Sequence, residues 1–128
     1  MSRLYIDDLN CEYLASTGGK PPNDRYFAVL IDAKIVTWKT ESRQVLWDFE
    51  VVDTRTAKRF TVRKYHTLKP GLMQFLTWDL NKLGMRLNHI NELHDALRSM
   101  IGSVIEIDFC QGDPWDEIRI LRLVSPTK

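Results

Sequence analysis

The chain has 128 residues, which is the length of a single domain. Hydrophobic residues make up 44% and charged residues 27%, so disorder along the whole chain is excluded. No apolar run approaches the roughly 20 residues of a membrane-spanning helix, and the first residues lack the apolar stretch of a secretory signal. Cys11 and Cys110 are isolated thiols, too few for a disulfide scaffold or a four-cysteine zinc site. These features predict a cytoplasmic protein without membrane contact.

The positive charge is concentrated in one segment, although the net charge is only +1. Residues 25–66 contain nine basic and five acidic side chains, whereas residues 1–24 and 103–128 each carry two negative charges in excess. Such asymmetry is typical of a face that binds a polyanion, and it also occurs on a solvated sheet whose charges are paired.

One linker-like stretch, from Gly18 to Asn23, contains two glycines and two prolines and separates an N-terminal segment from the body. We expect residues 1–24 to form this segment with its linker, residues 25–124 to form one domain, and residues 125–128 to form a short tail. Leu4, Tyr5 and Leu9 give the N-terminal segment apolar side chains with which it could dock.

Three strands are predicted in the first half of the body. Residues 25–39 are rich in β-branched and aromatic types and predict one long strand. Residues 44–53 alternate between apolar and polar types, which predicts a half-buried strand. After a turn at residues 54–57, residues 59–65 alternate again and predict a third strand. The apolar row of the second strand, expected to face the core, is Val45, Trp47, Phe49 and Val51.

The apolar period then changes to that of a helix. Residues 72–83 carry leucines and a phenylalanine at helical spacing, behind Pro70-Gly71 and before Gly84, which predicts a first helix. A second helix is predicted from Asn91, as its N-cap, to Met100.

Two final strands, residues 104–109 and 117–124, complete the predicted body. Three strands, a helical insertion and two further strands form the order of an oligonucleotide/oligosaccharide-binding (OB) fold, a five-stranded barrel with a helix between its third and fourth strands. The predicted fold class is therefore mainly β, with a five-stranded OB-fold barrel. The alternative is a small α+β sheet with a helical cover.

Strand registers can be predicted because a slip of one residue would turn every side chain to the opposite face. For the second hairpin, the predicted pairs are Asp53 with Lys58, Val51 with Phe60, Phe49 with Val62, Asp48 with Arg63, and Leu46 with Tyr65. For the first hairpin, a five-residue loop from Lys39 to Arg43 predicts Trp38 with Gln44, Val36 with Leu46, Ile35 with Trp47, and Lys34 with Asp48.

The outer face of this predicted sheet combines an apolar row, Val36, Leu46 and Tyr65, with flanking cations. In OB folds oligonucleotides lie on this face, where bases stack on aromatic rings and cations follow the phosphates. We predict a nucleic-acid-binding site in which Trp38 and Tyr65 stack on bases. Its phosphate contacts are assigned to Lys34, Lys39, Arg43, Arg59 and Arg63. The alternative is a dimer seam along the apolar row, beside a cross-strand charge ladder of Lys34, Asp48 and Arg63.

Catalytic and cofactor motifs are missing from the sequence, which has no phosphate-cradling glycine loop, nucleophile elbow or catalytic dyad. His66, His89 and His94 show no metal-ligand spacing with either cysteine. We therefore expect a protein that is not an enzyme and that uses no metal or cofactor. Trp115 could stack on a base or pack, and its neighbouring carboxylates favour packing because they repel phosphate.

Three stretches resemble a known family. They are Trp47-Asp48-Phe49-Glu50-Val51, the helix containing Leu72, Phe75-Leu76, Asp79-Leu80 and Leu83-Gly84, and the run Asn91-Glu92-Leu93, Ala96-Leu97, Ile101-Gly102 and Val104. Through them, residues from about 25 to 124 resemble an uncharacterised family of bacteriophage and prophage proteins regarded as single-stranded DNA-binding proteins with an OB fold. Members of that family often have glycine or asparagine in the first hairpin loop, where this chain has Lys39-Thr40-Glu41-Ser42-Arg43.

The resemblance implies a role in phage replication or recombination, in the cytoplasm of the host cell. Together with the residue patterns it predicts a sequence-tolerant protein that binds single-stranded DNA, or RNA. The alternative is a protein-interaction module that uses the same sheet face to form a homodimer or to hold a replication or recombination partner.

Overall fold

A computed structural model describes residues 20–37, 42–112 and 116–126. Within these ranges, five strands and two short helices occur in the predicted order. The strands are β1 (Asp24–Thr37), β2 (Arg43–Asp53), β3 (Lys58–Thr67), β4 (Val104–Cys110) and β5 (Glu117–Ser125). Between β3 and β4 lie the helix α1 (Met73–Lys82), a 3-10 turn (Ile90–Glu92) and the helix α2 (Leu93–Ser99).

The strands form one antiparallel sheet in the order β3-β2-β1-β4-β5. The central strand β1 is long enough to serve both halves: residues 24–29 pair with β4, and residues 29–37 pair with β2. A bulge at Ile31 interrupts the second ladder between Leu30 and Asp32. Bulges bend a strand and increase its local twist, and this one lies where β1 passes from pairing with β4 to pairing with β2.

The register of the second hairpin is confirmed at every predicted pair, including Asp48 opposite Arg63 and Leu46 opposite Tyr65. The predicted register of the first hairpin is wrong by two residues, because Val36 lies opposite Gln44 and Lys34 opposite Leu46. The predicted faces survive this shift, since two residues is the side-chain period of a strand. The outer rows are therefore Lys34–Leu46–Tyr65 and Asp32–Asp48–Arg63.

The core lies between the inner face of the sheet and the two helices. Trp47, Phe49 and Val51 are fully buried, which confirms the predicted inward row of β2. The helices add Leu76 and Leu80 from α1, together with Leu93 and Leu97 from α2. Other large buried members are Leu30, Ile105, Ile107, Phe109 and Ile120. At roughly 1.5–3 kcal/mol for each fully buried large side chain, this cluster supplies the main driving force for folding.

The start of the second helical segment differs from the prediction. Asn91 was expected to be its N-cap, but a 3-10 turn precedes α2 and His89 takes the capping position. The His89 ring accepts a hydrogen bond from the Asn91 N–H at 3.1 Å, while the Glu92 carboxylate accepts from the N–H groups of Asn88 and His89. This reciprocal arrangement is a capping box with histidine in the place of the usual serine or threonine.

The final residues of the predicted linker are held against the sheet. The Tyr26 hydroxyl donates to the Pro22 carbonyl at 2.5 Å, and the Gln111 amide donates to the Pro21 carbonyl at 3.1 Å. Residues 1–19 lie outside the described part of the chain. Among the described residues, the helices are all too short or too polar to cross a membrane.

Candidate functional site

Of the two residues predicted to stack on bases, Tyr65 lies in the described part of the chain and Trp38 does not. Tyr65 lies on the outer face of β3, where 44% of its surface is exposed, opposite the buried Leu46. Trp38 and Lys39 lie outside the described residues, as does Trp115. Tyr65 is therefore the one member of the predicted stacking pair whose position can be described, and its ring is accessible to a ligand.

Most of the predicted phosphate-binding cations already pair with carboxylates. The Arg63 guanidinium lies 2.7 Å from the Asp48 carboxylate across the β2–β3 ladder, and Arg59 lies 3.3 Å from Glu50. Lys34 lies 3.4 Å from Asp32. Of the predicted charge ladder of Lys34, Asp48 and Arg63, only the cross-strand pair of Asp48 and Arg63 is found, because Lys34 pairs with Asp32 on its own strand. These pairs leave less net charge on this face than the segment count indicates. Arg43 is exposed, and within the described ranges it has no ion-pair partner.

Tyr65 also lines a cleft between β3, α1 and β5, with a volume of about 430 Å³. Pockets of roughly 300–1,000 Å³ are typical of ligand sites. Strand β3 contributes Lys64, Tyr65, His66 and Thr67; the α1 region contributes Leu72, Phe75, Trp78, Asp79 and Lys82; and β5 contributes Arg119. The cleft therefore joins three elements that are distant in sequence.

The aromatic wall of this cleft belongs to α1. Leu76 and Leu80 are buried in the core, whereas Phe75 and Trp78 on the same helix are 46% and 54% exposed. Their rings form an edge-to-face pair with centroids 5.5 Å apart and planes at 84°. Such pairs fix each other's orientation, which favours a preformed surface for a planar ligand.

Basic side chains from all three elements also line the cleft. Lys64 and Lys82 both approach Asp79, at 3.8 and 3.6 Å, so one carboxylate is shared by two ammonium groups. Arg119 pairs with Asp108 at 3.0 Å. Burial lowers the pKa of Lys64, while the nearby charges of Asp79 and Glu117 partly oppose this effect. Because two lysines share one carboxylate and Arg119 is already paired, the positive charge that remains on the cleft walls is that of the two lysines at Asp79.

A buried chain of hydrogen bonds connects the cleft to the core. The Trp47 indole N–H donates to His66 Nδ1 at 2.8 Å, and His66 Nε2 lies 2.7 Å from Asp79 Oδ2. Because Nδ1 accepts from Trp47, the proton of a neutral imidazole is on Nε2 and is donated to Asp79. This chain fixes α1, and with it Phe75 and Trp78, against β3.

Loss of the Asp79 charge should destabilise the protein in a pH-dependent way. Burial of the carboxyl favours its neutral form, but the hydrogen bond from His66 and the charges of Lys64 and Lys82 outweigh it and lower the pKa of Asp79. Ionised Asp79 therefore contributes stability above its unfolded-state pKa of 3.8, and this is lost as the pH falls through the lower folded-state value. Asp79→Asn should cost about 1.5–3 kcal/mol at pH 7.

Urea unfolding at pH 7 and pH 3 measures this difference, which should shrink at the lower pH. Asp95→Asn in α2 is the matched control, because the exposed Asp95 carboxyl contributes at most a helix-terminus interaction of about 1 kcal/mol. An Asp79→Asn cost that is the same at both pH values would contradict the proposed role of its charge.

Sequence reasoning missed most of the cleft. The sequence does indicate that Trp78 could belong to a surface site, because this residue lies off the apolar stripe of its helix. Lys64 and His66 lie on the same, inner side of β3 as Val62. The sequence pattern therefore assigns them to the core side of the strand and gives no indication that they line a cleft. The contribution of Arg119 depends on the approach of β5 to β3, where the Lys64 ammonium donates to the Ile118 carbonyl at 2.6 Å.

Comparisons with known proteins supply no identity. No protein-family model matches the sequence, and no curated protein matches it either. The chemistry of the cleft and of the outer sheet face is therefore the basis for inferring a function.

Proposed function

We propose that the protein binds single-stranded nucleic acid, DNA in the first instance, without strong sequence preference. The observation that carries this proposal is the cleft between β3, α1 and β5, where three exposed aromatic rings, Tyr65, Phe75 and Trp78, share one surface with three cations. Every base has a π-face, so stacking on such rings is tolerant of sequence and contributes about 1–3 kcal/mol per base.

The cations supply the second half of this chemistry. Lys64 and Lys82 line the same cleft and share one carboxylate, so the phosphates that follow a stacked base would meet the positive charge left after this pairing. Tyr65 belongs both to the cleft and to the outer row Lys34–Leu46–Tyr65, which gives a strand a continuous path from α1 onto the sheet. Arg43, at the start of β2, is exposed, but alternation places it on the side of Val45 and Trp47 and not in this outer row.

The OB-fold barrel belongs to the same proposal. β3 and β5 are the edge strands of the sheet, so a barrel would close between them. The hydrogen bond from the Lys64 ammonium to the Ile118 carbonyl connects these two strands. The helices occur between β3 and β4, as in an OB fold, and the bulged β1 pairs with both halves of the sheet. A role in phage replication or recombination follows from the family resemblance, and the protein would act there by covering exposed single strands.

Fluorescence titration with poly-dT at two salt concentrations tests the binding. Affinity should fall with salt, with a log–log slope of about −0.7 for each phosphate neutralised. Lys82→Gln should flatten this slope, because Lys82 shares the Asp79 carboxylate with Lys64 and retains charge for a phosphate. Arg59→Gln is the matched control and should change the slope less, since Arg59 pairs with Glu50.

Equal slopes for the wild type and Lys82→Gln would show that Lys82 neutralises no phosphate, and would contradict the assignment of phosphate binding to the cleft. A larger effect of Arg59→Gln than of Lys82→Gln would return the site to the outer sheet face.

The alternative function, a protein-interaction module on the outer sheet face, is favoured by one observation. Phe27 is 62% exposed and Val52 is 39% exposed, and both lie on that face beside the Val29–Glu50 pair. Exposed apolar patches of this kind mark protein contacts when they are contiguous. The patch lies on β1 and β2, whereas Tyr65 lies on β3, so the two functions can be separated by substitution.

Tyr65→Ala should weaken poly-dT binding by about 1–3 kcal/mol without changing the sedimentation coefficient, because it removes a stacking ring from an exposed position. Phe27→Ser is the matched control for the alternative and should leave binding unchanged. Dissociation of an oligomer by Phe27→Ser, with loss of binding only as a consequence, would favour the interaction module.

A further inference from the structure

We propose that a bound single strand runs along the axis of α1, between two phosphate sites at opposite ends of the helix. One site is the pair of lysines at Asp79, and the other is Lys69 with Arg43 beside it. This inference rests on the proposed function and adds to it a direction for the strand and a second cationic site.

The residues by which α1 lines the cleft form one stripe along the helix. Leu72, Phe75, Asp79 and Lys82 follow one another at intervals of three or four residues, and Trp78 lies beside Asp79. This is the spacing of side chains on one face of a helix. The interval from Leu72 to Lys82 covers about 15 Å at a rise of about 1.5 Å per residue. The exposed rings therefore lie between the two ends of α1.

The C-terminal end of this stripe carries a limited positive charge. Lys64 and Lys82 lie 3.8 and 3.6 Å from Asp79, so one carboxylate compensates one of the two ammonium groups. Glu117 at the start of β5 is also close enough to act on the pKa of Lys64 through its charge. A strand that met this end alone would therefore have little positive charge for its further phosphates.

A rigid turn at the opposite end presents Lys69. The Leu72 N–H donates to the Lys69 carbonyl at 3.0 Å, and Gly71 has a φ of +89°. Proline at the second position and a left-handed glycine at the third are typical of a type II turn. Thr67 and Leu72, on either side of this turn, both line the cleft. Lys69 is exposed, and no carboxylate of the described residues pairs with it.

Arg43 lies next to this turn. The Leu68 N–H donates to the Arg43 carbonyl at 2.9 Å, which holds the start of β2 against the residue that precedes Lys69. Both Arg43 and Lys69 are exposed. Two basic side chains on neighbouring segments are therefore available to the phosphates of a strand that leaves the cleft past Leu72.

The edge of the cleft at β5 offers a less favourable exit. Arg119 is already engaged by Asp108 at 3.0 Å. A strand that crossed the start of β5 would approach the carboxylates of Asp116, which pairs with Lys20, and of the exposed Glu117. Because carboxylates repel phosphates, charge favours the exit at Lys69.

The geometry of the rings limits the number of nucleotides along α1. The planes of Phe75 and Trp78 are at 84° to each other, so bases that stack on both rings cannot be parallel. Nucleotides stacked as in a duplex rise about 3.4 Å each, and a splayed strand covers more. A stripe of about 15 Å therefore accommodates at most about four nucleotides, at the lower end of the range for OB folds.

The salt dependence of poly-dT binding tests the second phosphate site. Lys69→Gln should reduce the magnitude of the log–log slope by about 0.7, which is the contribution of one phosphate, and Lys69→Arg should restore it. The double variant Lys69→Gln, Lys82→Gln should reduce it by about 1.4, because the two lysines contact different phosphates. Arg86→Gln is the matched control, since Arg86 is an exposed cation in the other groove along α1 and should leave the slope unchanged.

The direction of the strand can be measured with a dT tetranucleotide that carries a nitroxide at its 5′ or its 3′ end. The backbone N–H groups of Gly71 and Gly84 lie just beyond opposite ends of α1. In NMR spectra of the full chain, one label should broaden Gly71 more strongly and the other Gly84.

The outcomes separate this inference from the proposed function. If Lys82→Gln flattens the slope and Lys69→Gln does not, the path along α1 is wrong and the nucleic-acid proposal stands. Equal broadening of Gly71 and Gly84 by both labels would likewise overturn the path, because the strand would then cross the helix. An effect of Arg86→Gln as large as that of Lys69→Gln would overturn the assignment of a phosphate to Lys69. A wild-type protein that does not bind poly-dT would overturn both proposals.

Discussion

Trp47→Ala should lower the free energy of unfolding by about 3–5 kcal/mol, which is the usual cost of removing a fully buried tryptophan. Trp47 has no exposed surface, stacks parallel to Phe49 with centroids 6.3 Å apart, and contacts His66 edge-on. The cavity would form in the middle of the sheet, where neighbouring strands cannot easily move inward. Urea unfolding followed by circular dichroism measures the loss.

Trp47→Phe separates the volume of the indole from its hydrogen bond. Phenylalanine keeps much of the apolar volume but leaves His66 Nδ1 without its donor, at a cost of about 1–3 kcal/mol for an unsatisfied buried acceptor. The control is Trp78→Ala, which should cost less than about 1 kcal/mol because Trp78 is 54% exposed. Similar losses for Trp47→Ala and Trp78→Ala would contradict the division between a core and a cleft tryptophan.

The elements that sequence reasoning predicted well share a physical property. The β2–β3 register follows from two constraints: alternation fixes which side chains face the core, and the short turn at residues 54–57 fixes which residues pair. Val51 opposite Phe60 and Phe49 opposite Val62 satisfy both constraints at once. The β1–β2 register was wrong by two residues because that shift keeps every side chain on its predicted face, so alternation cannot detect it.

The candidate site was harder to predict because it depends on tertiary contacts. Lys64, Trp78 and Arg119 come from three elements whose approach no local pattern encodes. A count of charges along the sequence also does not show which charges form ion pairs. Arg59 and Arg63 contribute to the positive excess of residues 25–66, but each forms an ion pair with a carboxylate on β2. What matters for an anion is the charge that remains after such pairing, and this favours the cleft with its two lysines at one carboxylate.

The buried chain from Trp47 to Asp79 explains why the aromatic wall can be exposed and still ordered. Exposed rings on a helix are useful for binding only if the helix is fixed, since ordering them on binding would cost entropy. The His66–Asp79 hydrogen bond and the packing of Leu76 and Leu80 hold α1 against β3. The helix thereby presents Phe75 and Trp78 in a fixed geometry.

Removal of this wall should therefore have the largest effect on binding. Trp78→Ala and Phe75→Ala should each weaken poly-dT binding by about 1–3 kcal/mol, or roughly five- to 150-fold, if each ring stacks on a base. The double variant should not lose the full sum, because the two rings are in contact and each single change already disturbs the other. Titration by fluorescence anisotropy with a labelled dT oligonucleotide measures all three affinities.

Two further variants make the result specific to stacking. Trp78→Phe keeps a π-face and should retain most of the affinity for poly-dT. If Trp78 only fills space, Trp78→Phe and Trp78→Leu should bind poly-dT equally well. Ile90→Ala removes an equally exposed apolar side chain, 52% accessible, from the other groove along α1 and should leave binding unchanged. If Ile90→Ala weakens binding as much as Trp78→Ala, or if Trp78→Leu binds as well as Trp78→Phe, the rings of α1 do not stack on bases and the strand follows the outer face of the sheet instead.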